Sequence, residues 1–284
     1  MADDCLFLSC SESKHITSIM KQLILKRTAF SILVIFAFCT GYSQSITYTV
    51  ANAHAHNDYE HNVPFVQAYA LGFGSIEADV ILKNDSLYVG HNHSDIFTRP
   101  LFFERDYIQP LHAAVQSRKD TGRKVILLID LKTEALATLD KVMAIIEKYP
   151  LLTATTAVQF VITGNQPSPS AFNTYPSYIY FDGNINDPAH IQQLSRIGMF
   201  SGNFAKYSRW KGIGDIPAAE KKALATVIES VHALHKKIRF WGCPDNMHTW
   251  QVFMNMQVDY LNTDHIDQLA GYLKQHASVI PGIQ

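Results

Sequence analysis

From Tyr48 onward, short apolar and β-branched runs alternate with stretches in which apolar residues recur every three or four positions. The first pattern is that of buried strands and the second that of one-sided helices; their alternation is the signature of repeated βα units around a parallel sheet. Eight runs read as strands: 48–53, 75–82, 124–131, 158–163, 178–182, 199–203, 238–242 and 258–262. Helical periodicity falls at 63–71, 107–118, 134–148, 188–196, 217–235, 247–256 and 265–275. In the third of these helices Leu136, Leu139, Val142, Met143 and Ile146 form a stripe suited to covering the sheet. Segments 165–170 and 207–217, rich in Pro, Ser and Gly, read as loops. Eight strands interleaved with helices predict a single-domain α/β fold, a (β/α)8 barrel of the triosephosphate isomerase type.

The first 44 residues do not share this alternation. Lys21, Lys26 and Arg27 precede the apolar run 29–38, which gives way to small and polar residues ending at Gln44. This layout predicts a signal peptide, with Met20 as a more conventional start than Met1 and an exported, periplasmic or extracellular chain after cleavage. Cys39 offers lipid attachment as an alternative, against which the bulky Phe38 argues. The apolar run is too short to span a bilayer comfortably, so no stable transmembrane segment is expected after cleavage. Residues 45–284 then form the barrel, a length that one such domain fills. Cys243 is the single cysteine in that region, so no intrachain disulfide is expected and stability must come from the core. With 24 basic and 25 acidic residues and no basic cluster, the chain is not built to bind nucleic acid through phosphate charge.

The segment Ser75-Ile76-Glu77-Ala78-Asp79-Val80-Ile81-Leu82 reads as a buried strand yet carries two carboxylates. Residues i and i+2 of a strand share a face, so Glu77 and Asp79 converge. Unpaired buried carboxylates are costly, and such a pair either holds a cation or shares a proton. His56 precedes the pair, His91 follows it, and Asp130 and Lys132 end the third strand. Strand C-terminal ends are where the chemistry of such a barrel sits.

Taken in order, His56, Glu-x-Asp at 77–79, His91 and Asp-x-Lys at 130–132 resemble the phospholipase C-like phosphodiesterase superfamily, which includes the glycerophosphodiester phosphodiesterases. The wording His-Asn-Asp-Tyr, Glu-Ala-Asp-Val and Val-Gly-His is most similar to the secreted bacterial and fungal branch related to the altered-inheritance-of-mitochondria phosphodiesterase-like proteins. The resemblance implies a metal-dependent phosphoric diester hydrolase acting on a small-molecule or lipid phosphodiester. It implies one divalent cation, Ca²⁺ or Mg²⁺, held by Glu77, Asp79 and Asp130, with His56 as general base, His91 as general acid and Lys132 stabilising phosphoryl charge. The chain also departs from the glycerophosphodiesterases. His56-Asn57-Asp58 replaces their His-Arg-Gly, and their Pro-Glu-Asn-Thr box is absent, which removes the phosphate-gripping arginine and one carboxylate, leaving Asp58 or Asp130 to complete the metal site.

Asn57, Trp241 and Asn262 are candidates to line a substrate pocket, with Tyr180 and Trp210 as further aromatic options. His54 reads as structural, and Asp264 as a cap of the following helix. Two other readings compete. His54-Ala55-His56 with Asp264 could belong to a metal-dependent amidohydrolase or metallophosphatase, although the ends of strands five and six, Asp182-Gly183-Asn184 and Asn203-Phe204-Ala205, lack the further histidines this requires. A barrel binding a phosphorylated ligand without turnover is the third.

Overall fold

The computed structural model describes residues 46–117 and 122–278; the region read as a signal peptide lies outside them. The strands are β1 (Ala53–Ala55), β2 (Ser75–Lys83), β3 (Ser86–Val89), β4 (Leu101–Phe102), β5 (Val125–Leu131), β6 (Val158–Gly164), β7 (Ile179–Gly183), β8 (Ile197–Asn203), β9 (Ile238–Trp241) and β10 (Leu261–Thr263). Eight of them follow one another in the order β10-β1-β2-β5-β6-β7-β8-β9, each neighbouring pair parallel. A parallel bridge between Arg239 and Tyr260 joins the two ends and closes the (β/α)8 barrel.

Strand side chains alternate between an outer layer packed under the helices and the barrel interior. Phe160, Ile162 and Phe181 belong to the outer core, while Ile126, Leu128, Val161, Met199 and Tyr260 form a separate apolar cluster inside the barrel. Burying each large apolar side chain stabilises the fold by roughly 1.5–3 kcal/mol, so this interior plug keeps the lower barrel dry without polar help. The inward-facing carboxylates lie toward the other end.

The helices fall where periodicity placed them, with instructive differences. In Ala135–Ile146, Glu134 caps the N-terminus by accepting from Leu136 N at 3.0 Å and Ala137 N at 2.8 Å. The buried face is Thr138, Leu139, Val142, Ile145 and Ile146. Leu136, predicted on that stripe, is 55% exposed, because it stands roughly 120° around the helix from Val142.

The first strand begins later than predicted. Thr49 and Asn52 cap each other across a 3-10 turn at Val50–Asn52, so extended pairing starts only at Ala53 and His54 lies on the strand, facing inward. At the other end Val258 N donates to Phe253 O to finish the preceding helix, and β10 shrinks to Leu261–Thr263. The hairpin was not anticipated: β2 continues past the barrel rim and pairs antiparallel with β3 from Val80↔Val89 to Lys83↔Ser86. Asn84 and Asp85 both have positive φ (48° and 62°), as a two-residue hairpin turn requires.

Candidate active site

The inward face of β2 presents Ser75, Glu77 and Asp79, all buried. Parallel register sets Asp130 of β5 beside Asp79, and Lys132 follows two residues after Asp130, just past the end of that strand. Carboxylate oxygens of Glu77, Asp79 and Asp130 lie within 4.8 Å of one another. Lys132 Nζ reaches Asp79 Oδ2 at 3.0 Å and Asp130 Oδ2 at 2.9 Å. Asp79 Oδ2 also accepts from Tyr59 Oη at 3.2 Å and contacts His91 Nδ1 at 3.0 Å, whereas Asp79 Oδ1 is buried with no partner. A buried oxygen left bare costs about 1–3 kcal/mol. Three hard oxygens with one of them unsatisfied could hold a metal ion. Gly164, at φ 72° on the end of β6, leaves the space that Asp130 Oδ1 occupies; any Cβ there would collide with it.

Crowding shifts the acidities. Burial, then the charges of Glu77 and Asp130, push the Asp79 carboxyl up to about 6. Burial opposes ionisation of Glu77 as well, but the Arg239 guanidinium outweighs it and holds Glu77 well below the usual carboxylate range. Lys132 is raised above its ordinary value, since the Asp79 and Asp130 carboxylates overcome the cost of its burial.

Two histidines stand over this pocket. His56 follows β1, anchored by His56 N donating to Thr263 O at 3.0 Å, and its Nδ1 lies 2.7 Å from Asp264 Oδ1 at the end of β10. Burial disfavours its charged form, yet the hydrogen bond to Asp264 and the charges of Glu77 and Asp264 prevail and raise its pKa. His91 leaves β3 after Gly90, whose N donates to Asp79 O at 3.0 Å. Both histidines line one cleft of about 450 Å³ together with Asn57, Tyr59, Glu60, Asn92 and Arg99. Arg99 does not face a ligand freely: its guanidinium donates to the carbonyls of Tyr59, His61 and Asn62 at 3.1, 2.7 and 2.9 Å.

Beneath the carboxylates lies a second polar layer. His54 Nδ1 is 2.8 Å from Ser75 Oγ, and its Nε2 is 3.0 Å from Glu77 Oε2 and 2.6 Å from Arg239 Nη1. One ring nitrogen cannot donate to Glu77 and accept from Arg239 together. Burial and Arg239 lower the His54 pKa to about 3, so the ring is neutral; we assign Nε2 as acceptor of the guanidinium proton and Nδ1–H as donor to Ser75.

The structure thus brings His56, Glu77, Asp79, His91, Asp130 and Lys132 to one mouth of the barrel. Asn57 lines the cleft in a left-handed conformation (φ 47°), its amide spent on Tyr59 and Asp264. Trp241 ends β9 on the surface and does not line this cleft, and Asn262 is buried below it as acceptor for Arg239. Asp58 stays outside the carboxylate group: its Oδ2 accepts from Phe65 N and Tyr107 Oη, so Asp130 is the third carboxylate. Asp264 contacts His56 across the β1–β10 pair, and the cap expected of it is not what its side chain does. Arg239 was missed; a lone charge between Ile238 and Phe240 in an apolar strand was its signal.

Residues 43–122, which contain both histidines, Glu77 and Asp79, match the AIM6-like phosphodiesterase domain, and residues 237–267, which contain Arg239 and Asp264, match the glycerophosphoryl diester phosphodiesterase family. Altered inheritance of mitochondria protein 6 of Eremothecium gossypii is 26% identical, the match covering 78% of this chain and 69% of the relative. Its homolog in Arthroderma benhamiae is 24% identical, over 77% and 82%. A glycerophosphodiester phosphodiesterase from Parabacteroides distasonis shares the fold with a TM-score of 0.53 at 12% identity, covering 81% of this chain and 97% of that one. Over residues 43–122 and 237–267 the chain resembles glycerophosphodiester phosphodiesterase-like proteins. Along most of its length it is similar to the fungal altered-inheritance proteins.

These relatives overturn the expectation of export. They are named for the inheritance of mitochondria and are not known as secreted proteins. A basic flank ahead of an apolar run is shared by N-terminal segments with different destinations, so that pattern could not discriminate among them. No helix among the described residues is long and apolar enough to cross a membrane.

Proposed function

We propose that the chain is a metal-dependent phosphoric diester hydrolase acting on a small-molecule or lipid phosphodiester. The observation that carries this reading is the placement of two histidine–carboxylate pairs, His56–Asp264 and His91–Asp79, on one cleft above three convergent carboxylates. Glu77, Asp79 and Asp130 would hold the cation, which when bound supplies charge neutralisation at the phosphoryl oxygens.

The remaining steps belong to the chain itself. Asp264 accepts from His56 Nδ1–H and so leaves Nε2 unprotonated, the atom that takes the proton of the attacking hydroxyl. His91 donates Nδ1–H to Asp79 and, when charged, delivers a proton from Nε2 to the departing ester oxygen. Lys132, fixed by two carboxylates, adds positive charge beside the phosphoryl group. The competing His54-x-His56 metal pair is disfavoured, since both ring nitrogens of His54 are already engaged.

Hydrolysis of bis(p-nitrophenyl) phosphate tests the proposal, run against an amide and lactone panel in EDTA and after restoring Ca²⁺, Mg²⁺ or Zn²⁺. The expected result is diester cleavage abolished by EDTA and restored by Ca²⁺ or Mg²⁺. Amide or lactone cleavage in place of diester cleavage would overturn it, as would tight binding of phosphorylated ligands without turnover under every metal.

A further inference from the structure

Arg239 enters the barrel from β9 and is only 3% exposed, so solvent cannot balance its charge. Its Nε donates to Ser201 Oγ at 2.8 Å, and its Nη1 donates to Asn262 Oδ1 at 3.0 Å while sharing its proton between His54 Nε2 at 2.6 Å and Glu77 Oε2 at 3.4 Å. Three of these partners are neutral and serve to fix the planar guanidinium. Glu77 alone answers its charge directly. The guanidinium engages one oxygen of Glu77 and leaves the other for the pocket.

Lys132 plays the equivalent part for Asp79 and Asp130. A fourth carboxylate, Asp182 on β7, lies within the electrostatic reach of Arg239 with Oδ1 buried and unpartnered. Three convergent carboxylates and the nearby Asp182, set against the two fixed cations Arg239 and Lys132, leave two uncompensated negative charges in this part of the barrel, the amount that one divalent ion cancels.

We propose that Arg239 is a specificity-determining positioning residue for this pocket: its fixed charge sets the demand of the pocket at a single divalent cation, and its hydrogen bond aims Glu77. The inference rests on the cation-binding part of the proposed function. Removing Arg239 adds about one unit of uncompensated charge to the pocket, which favours a trivalent over a divalent ion. Unit charges about 6 Å apart at an effective dielectric of ~20 interact strongly enough to change that preference at least about tenfold.

The test measures Tb³⁺ and Ca²⁺ dissociation constants on the intact chain at pH 8, by luminescence and by calorimetric competition. Arg239→Met is expected to raise the preference for Tb³⁺ over Ca²⁺ by about tenfold or more, and Arg239→Lys to weaken both ions while holding the ratio within about threefold of wild type. Asp182→Asn, which removes a negative charge, is expected to move the ratio the opposite way. Should Arg239→Met fail to melt cooperatively, Asp182→Asn decides. Ratios unchanged in the folded variants overturn the inference while leaving the cation site standing. Wild-type chain that binds neither ion overturns the cation reading and this inference together.

Discussion

The two histidines over the cleft are held by carboxylates in inverted settings. His56 is the less exposed of the two, its side chain 27% accessible, and its partner Asp264 is 48% accessible; His91 is 58% accessible, and Asp79 only 1%. Asp264 serves His56 and Asn57 and nothing else in the pocket. Asp79 is shared among His91, Lys132, Tyr59 and the carboxylate group. The same pairing therefore does two jobs. One fixes a tautomer, and the other ties a proton donor to the charge state of a cation site.

The largest effects should come from the rings themselves. His56→Ala and His91→Ala should each lower kcat on an unactivated diester by roughly 10²–10⁴-fold. With a p-nitrophenolate leaving group the deficit of His91→Ala should shrink, because that oxygen departs without a proton, whereas His56→Ala should gain no relief. Equal losses for His91→Ala on both esters would make it a positioning residue.

Next come the partners, which should separate cleanly. Asp79→Asn should weaken Ca²⁺ or Mg²⁺ binding by at least about tenfold in calorimetry, with a cooperative melt retained. Asp264→Asn should leave that affinity unchanged and lower kcat/KM by roughly 10–10²-fold, less than a fully buried partner would, because solvent screens it. Asp264 raises the His56 pKa and neutral His56 is the base, so activity is lost as pH falls through that value, and Asp264→Asn should move this acidic limb to lower pH. A limb that stays in place would remove Asp264 from the mechanism.

Gly164→Ala should act on the Asp79 side alone. The left-handed backbone costs a non-glycine residue about 1–2 kcal/mol, read as a lower urea midpoint, and the collision with Asp130 should weaken cation binding while the limb assigned to His56 holds. The smallest effect concerns Asp58 behind the His56 loop, whose carboxyl burial raises from 3.8 to about 7. The folded chain keeps a proton that the unfolded chain has released, so this stability is complete below about pH 4 and is lost as pH rises through about 7. Asp58→Asn should flatten the upper part of that slope in urea titrations, leaving Asp79 and Asp182, both raised to about 6, to supply the rest. An unchanged slope would place the proton elsewhere.

The sequence disclosed the barrel because buried parallel strands leave unbroken apolar runs, and it disclosed Glu77 and Asp79 because charges interrupt such a run with the two-residue spacing of one face. Arg239 interrupts a strand in the same manner, but a single charge has no internal spacing to give it away, and its partners His54 and Glu77 lie 185 and 162 residues distant. Asp264 stands just before a helix, where capping is the ordinary local meaning of an aspartate. Its real partner, His56, is 208 residues away and is brought near by the β1–β10 register. The hairpin carried a readable sign in Asn84-Asp85, yet β3 and β4 are too short to show alternation.

The three carbonyls gripped by Arg99 belong to the loop that carries on from His56, while Arg99 itself stands at the foot of the hairpin that carries His91. A single side chain thus works as a tie-rod between the two jaws of the cleft. The gap into which an ester must fit is gauged in part by the reach of that arginine. Changing the tie would resize the opening and alter the spacing between the base and the acid, with the carboxylates of β2 and β5 left where they are.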